Sequence, residues 1–249
     1  MRLEVTVNPR KVALVLGGIA LYLALQSILL KHVEYAAGTE STYWLYHLVN
    51  LFNVNREGNI PTWYSTLLLL ACLLCFTAIA FVKRTQGDRY TRHWVGLALV
   101  FLYLSLDEGA AIHEKLTIPI QEGLNVTGYL YFGWVIVGAA FVLGFLLLYV
   151  RFFFHLPPET QRLFLAAGVL YVGGALVVEA ISANQWYLDS GTSLTFSTIG
   201  TLEELLEMWG AVVLLYALLA YLSDHVSEIR ITTARAGEHA PEPEQTPTG

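Results

Sequence analysis

Charge is what this chain has least of. Only 14% of its 249 residues are Asp, Glu, Lys or Arg, and 55% are hydrophobic. A soluble domain carries about 25% charged and about 45–50% apolar residues. The shortage excludes a soluble enzyme of this length and a disordered chain. Positive charge is scarcer still, with 14 Lys and Arg against 20 Asp and Glu and a net charge of −6. That leaves no basic footprint for DNA or RNA. Cysteine is almost missing, and two residues cannot build a disulfide scaffold. A mean hydropathy of +0.54 points instead to an all-α, polytopic membrane protein, a six-transmembrane-helix bundle partnered by the lipid bilayer.

Long apolar runs are what the chain does have. About 20 such residues cross a bilayer as a helix. Six spans are predicted, at about 12–30, 62–82, 94–114, 129–150, 163–183 and 202–222. Arg10 and Lys11 before the first span resemble a signal-peptide start, but no small-x-small cleavage pattern follows Leu30. Lys and Arg favour the cytoplasmic side. Arg2, Arg10, Lys11, Lys83, Arg84, Arg89, Arg92, Arg151, Arg162, Arg230 and Arg235 fall on one side of the six spans, and only Lys31, Arg56 and Lys115 on the other. Both termini are therefore expected to be cytoplasmic, in a cell (inner) membrane. Residues 41–53, STYWLYHLVNLFN, place Trp44, Leu48, Leu51 and Phe52 on one helical face, so a short extracytoplasmic interfacial helix is predicted there. Residues 1–229 form the transmembrane domain, and residues 230–249, rich in Pro, Glu and Thr, a disordered cytoplasmic tail.

The charges inside the spans are all acidic. Asp107, Glu108 and Glu114, the last beside His113, belong to the third span, Glu179 to the fifth, and Glu203, Glu204 and Glu207 to the sixth. A charge at membrane depth costs a few kcal/mol, and such residues usually mark function. Alternating span directions bring all of them to similar depth near the extracytoplasmic boundary. Asp107 and Glu114 share a helical face at a spacing of seven. Glu203 and Glu207 share another at i, i+4, continued by Gly210 at i+3 from Glu207. Glu203 and Glu204 also have a structural reading, because Thr201-Leu-Glu-Glu204 fits a capping box at a helix start.

Several carboxylates in low dielectric cannot all be ionised without a counter-charge. A bound cation, protons or water must resolve this. Carboxylates with one histidine suit Zn, Fe, Mn or Ca. The expected divalent-metal ligands are Asp107, His113, Glu114, Glu179, Glu203 and Glu207, with His47 and His32 as further candidates. In an enzyme, Glu108 and Glu204 would move protons beside the metal. No HExxH or paired ExxH spacing occurs, so zincin and di-iron chemistry is not supported.

Other signals read as packing. Cys72 and Cys75 lie in mid-span, far from the acids. Gly168, Gly173 and Gly174 permit close helix approach. Ser105 lies one turn deeper than the acids and off the His113 face, so no serine triad is expected. Asn125-Val-Thr127 is a formal glycosylation sequon.

Three stretches, residues 57–65 (EGNIPTWYS), 105–114 (SLDEGAAIHE) and 203–210 (EELLEMWG), resemble a group of bacterial multipass inner-membrane proteins of uncharacterised function. The resemblance covers most of the membrane region and implies a location without an activity. The chain is superficially similar to alkaline-ceramidase-type hydrolases, which use Asp, His and Ser around zinc. It lacks their further histidines in suitable spans, so that chemistry does not carry over. The expected function is a membrane protein with an acidic, metal-binding site near the extracytoplasmic face; if it is an enzyme, its substrate would be lipid-borne or extracytoplasmic. A proton or cation transporter and a structural or sensory subunit are the alternatives.

Overall fold

Capping residues set most of the helix boundaries. Asn8 accepts the Lys11 N–H and starts α1 (Pro9–Ala37). Thr42 accepts the Leu45 N–H and starts α2 (Tyr43–Phe52). Asn59 accepts the Thr62 N–H and starts α3 (Ile60–Thr85), with proline in its first turn. After α3 come α4 (Thr91–Ala110), a 3-10 turn (His113–Leu116), α5 (Thr117–Leu124), α6 (Trp134–Phe153), α7 (Pro158–Val172), a π-helical segment (Gly173–Val178), α8 (Glu179–Asp189) and α9 (Leu194–His225). The computed structural model describes residues 7–38 and 42–225, and among the described residues no strand occurs. The predicted tail, 230–249, lies outside them.

Helices α1, α3, α6, the continuous unit from Pro158 to Asp189, and α9 are each long and apolar enough to cross a membrane, and α4 with α5 adds a sixth if the bent pair counts as one. Helix α9 is the axis. It packs against α1, α3, α7 and the π-helical segment, and half of its most apolar stretch is buried. Helix α6 is peripheral, with Leu147 and Leu148 at least 70% exposed.

At one end Phe76, Trp94, Phe152, Leu214, Leu215 and Leu218 form an aromatic-rich core. The Phe76 ring lies 5.0 Å from Phe101 and 6.2 Å from Trp94. Cys72 is fully buried here and its thiol reaches the Ala211 carbonyl at 3.6 Å, in accord with a packing role. Toward the other end a second core gathers Leu23, Tyr64, Leu68, Leu69, Met208 and Val212, and the acids lie beside it.

Of the boundaries that depart from the sequence reading, two move acids. Ser193 accepts the Phe196 N–H at 3.0 Å, so α9 starts at Leu194 and not near residue 202. The stretch LTFSTIGT (194–201) is too polar for a hydropathy window but helical all the same. Thr201 is therefore mid-helix, with its hydroxyl donating to the Ser197 carbonyl at 2.8 Å. The capping-box reading of Glu204 is thus corrected, and Glu203 to Glu207 lie about 14–20 Å inside the helix. The third span, expected to run straight through Glu114, breaks at Ala111, which is left-handed at φ 48° and ψ 49°. Residues 113–124 turn away by 78°.

Candidate functional site

Asp107 makes that break. Its Oδ1 accepts the His113 backbone N–H at 2.8 Å, and its Oδ2 meets His113 Nδ1 at 2.8 Å. One carboxylate thus satisfies a donor freed by the broken helix and holds the ring that follows. With Nδ1 donating, His113 Nε2 remains as an acceptor. The His113 ring lies 4.6 Å from Trp134. Trp134 Nε1 in turn donates to Glu179 Oε1 at 2.8 Å, and Glu203, buried on α9, lies close enough to feel the Glu179 charge. Two hydrogen bonds and one ring contact therefore link α4, the 3-10 turn, α6 and α8, beside Glu203 of α9. Asp107→Ala should remove a charge-assisted hydrogen bond worth about 1.5–3 kcal/mol. A fall in thermal midpoint of several degrees, with lost protection of the 111–116 amides in hydrogen exchange, would bear this out.

A second group of acids meets in the interior. Glu108 from α4 and Glu204 and Glu207 from α9 line one small cavity with Ser65 from α3 and Tyr171 from α7, about 10 Å³ in volume. That is room for about one water molecule. The register of α3 against α4, fixed by the Ser105 hydroxyl on the Thr66 carbonyl at 3.2 Å, sets Ser65 opposite Glu108. This bond also accounts for Ser105 without a nucleophilic role.

Helix α9 approaches so closely because of two glycines. A Cβ on Gly210 would lie 2.7–2.9 Å from the backbone and Cβ of Tyr171, and one on Gly174 would lie 2.9 Å from the Glu203 carbonyl oxygen. Gly168 and Gly173 have no such neighbour, so of the three glycines expected to permit close approach only Gly174 does. The π-helical segment carries Gly174 and leads directly into Glu179. Such segments recur at functional sites.

Glu57 is a site residue that the sequence reading passed over. The loop carrying it is pinned on both sides. The Asn59 amide donates to the Asn50 and Asn53 carbonyls at 3.2 and 2.7 Å. The Asn55 amide donates to the Ser197 carbonyl at 3.1 Å, and the Ser27 hydroxyl accepts the Val54 N–H at 3.2 Å. One Glu57 oxygen is buried without a partner. Desolvation, then the charge of Glu114, push its pKa from 4.5 up to about 7, with His113 pulling it down and Asp107 adding a smaller push. A folded-state pKa raised in this way contributes stability below about pH 4.5 that is lost as the pH rises through about 7. Glu57→Gln should therefore gain roughly 1 kcal/mol over wild type between pH 5 and pH 8, screening of this half-buried group included. Thermal midpoints of both proteins across that range read it directly, and parallel curves would contradict it.

The six expected metal ligands do not form one centre. Asp107 and His113 bind each other, and Glu114 is exposed on the 3-10 turn. Glu179 accepts from Trp134 with Glu203 beside it, and Glu207 lies in the cavity. Among the described residues, no three His, Cys, Asp or Glu side chains are grouped to hold a metal ion. His32 bonds its own helix at the Ile28 carbonyl, and His47 packs between Tyr43 and Tyr46, so neither joins the site. The charged contacts among the described residues are the ion pairs Lys31–Glu34 and Lys83–Asp88 and the Asp107–His113 hydrogen bond. None of them neutralises Glu57, Glu108, Glu179, Glu203, Glu204 or Glu207.

The fold and site define an all-α chain with several helices apolar enough to cross a membrane and a buried carboxylate cluster among them. The chain belongs to the family described as a domain of unknown function (DUF8692), which matches residues 12–222. All three stretches that carry the bacterial resemblance lie within that region. No curated protein and no solved structure matches the chain.

Proposed function

We propose that this is a six-span protein of the cell (inner) membrane, with both termini cytoplasmic, that binds a cation at a carboxylate site reached from the extracytoplasmic side. The α4–α5 pair supplies the sixth span, and α2 lies along the outer interface. The observation that carries the reading is the cavity shared by Glu108, Glu204 and Glu207, with no Lys or Arg paired to them among the described residues. Carboxylates so placed need a positive partner. Protons fit best, because no three acids among the described residues are grouped to hold a metal ion and a space of about 10 Å³ admits a water but no organic substrate. A divalent ion (Zn, Fe, Mn or Ca) would enter by drawing the carboxylates together and displacing protons.

The apolar core around Phe76, Trp94 and Phe101 continues the bundle beyond the cavity toward the cytoplasmic end, which favours binding over conduction through the bundle. One observation favours a second reading, a metal-dependent enzyme on a lipid-borne or extracytoplasmic substrate. The Asp107–His113 pair leaves a ring nitrogen oriented as a base.

Infrared difference spectra of the purified protein test the proposal. The carbonyl-stretch band of protonated carboxylic acid should persist at pH 8 in wild type, weaken when Mn²⁺ or Zn²⁺ is added, and lose most of its intensity in Glu108→Gln/Glu204→Gln/Glu207→Gln. A wild-type spectrum without that band would overturn proton binding.

A further inference from the structure

The opposite end of the bundle holds a second concavity. The connection from α3 to α4 turns through Gly87, at φ 66°. Lys83 and Asp88 pair across it at 3.6 Å, and Asp88 also accepts the Tyr90 N–H at 2.7 Å. Arg84, Arg89 and Arg92 have no carboxylate partner among the described residues. All three line a concavity of about 440 Å³ with Asp88, Thr91 and Val95. Arg89 is held in place there. Its guanidinium lies over the Tyr90 ring, 4.7 Å from the centroid, and 3.4 Å from His155 Nδ1 on the α6–α7 connection. Tyr90 stands at the start of α4, and no side chain caps that helix. Three guanidinium forks therefore open into one space. They favour oxyanions, and the planar fork matches phosphate in particular.

The surface beside the concavity is apolar. Val95, Leu99, Leu102 and Leu106 follow one another up one face of α4 and are 45, 60, 42 and 57% exposed. They form a strip about 16 Å long running from the concavity toward the middle of the bundle. Free phosphate would use the arginines and leave that strip idle, whereas a lipid uses both.

We infer that the α3–α4 concavity binds the phosphate headgroup of an anionic phospholipid, with an acyl chain along the Val95–Leu106 strip. Basic pockets between spans on the cytoplasmic side suit such headgroups. The inference rests on the membrane placement proposed above and is independent of the carboxylate site at the other end.

The test uses the full-length protein in neutral detergent. Phosphatidylglycerol, phosphatidylcholine with the same chains, and inorganic phosphate are each titrated in. Retained lipid is read by native mass spectrometry and the thermal midpoint by unfolding. Phosphatidylglycerol should be retained at a concentration at least about tenfold below phosphatidylcholine, given about fivefold per arginine near the headgroup layer. Arg84→Ala/Arg89→Ala/Arg92→Ala should lose that preference. Arg89→Lys/Arg92→Lys, which keeps the charge but not the forks, should fold and lose part of it, and it decides the matter if the alanine variant does not fold. Equal retention of the two lipids, or undiminished preference in the variants, would overturn the site. An equal midpoint shift from inorganic phosphate would overturn the lipid. Recovery of the chain in the soluble fraction without detergent would sink the membrane placement instead, so the two failures are distinguishable.

Discussion

Gly210→Val is expected to unseat α9 and lower the thermal midpoint by about 10 °C. Any Cβ at this position meets the Tyr171 backbone nitrogen and Cα at 2.7 and 2.9 Å, and neither atom belongs to a flexible side chain that could swing away. Overpacking a core usually costs about 1–3 kcal/mol, and a clash between two helix backbones belongs at the upper end. For a chain of this size each kcal/mol moves the midpoint by about 2–4 °C. The damage should also reach the site, because α9 carries Glu203, Glu204 and Glu207 while α7 carries Tyr171. Gly168→Ala is the control. Its Cβ would have nothing within 4 Å, and alanine is the better helix former by about 1 kcal/mol. It should be neutral or slightly stabilising. Equal midpoints for Gly210→Val and wild type would mean that α7 and α9 are not packed as closely as described.

The second large effect concerns charge. Glu204→Gln/Glu207→Gln should raise the thermal midpoint at pH 8.5 by about 5 °C or more and leave it near wild type at pH 5. Glutamine keeps the shape of the side chain and removes the ionisable group. Repulsion among carboxylates that share one small cavity grows as the medium becomes alkaline, and the double variant has one acid left there, Glu108. The gain must therefore depend on pH, which distinguishes it from a simple packing improvement. An equal gain at both pH values would argue that the acids do not interact. A large loss at both would argue that they are structural hydrogen-bonding groups.

Much of the fold was legible because hydropathy reports burial in a helix of any kind, and the apolar runs stand where α1, α3, α4, α6, the α7–α8 unit and α9 lie. The ends were harder to read. Residues 194–201 are helical through Ser193 capping and hydroxyl-to-carbonyl bonds such as Thr201 to Ser197, and none of these adds hydropathy. The π-helical segment at Gly173–Val178 leaves no mark in apolar spacing.

The site was partly legible for the same reasons. Acids within apolar runs stand out, and Glu108, Glu204 and Glu207 do meet. Asp107 was read as a ligand although it holds the helix break, because a left-handed alanine cannot be foreseen from the sequence. Glu57 was missed because it sits in a polar loop, where an acid is unremarkable until Asn55 and Asn59 are seen to pin that loop over the cluster. Its one available signal was its place at the head of the stretch EGNIPTWYS. The arginines of the α3–α4 connection were read for orientation alone, because their shared concavity depends on how the chain turns at Gly87.

The central claim is that Glu108, Glu204 and Glu207 together hold a cation. A proton inventory tests it most directly. Purified protein in lightly buffered detergent at pH 7.5 is titrated with Mn²⁺ or Zn²⁺ while released protons and bound metal are counted together. The account predicts protons released in near-stoichiometric step with metal bound, and neither release nor binding in Glu108→Gln/Glu204→Gln/Glu207→Gln. Without metal, raising the pH from 6 to 9 should release more protons from wild type than from that variant. Identical proton counts for the two proteins, with no metal bound by either, would contradict it.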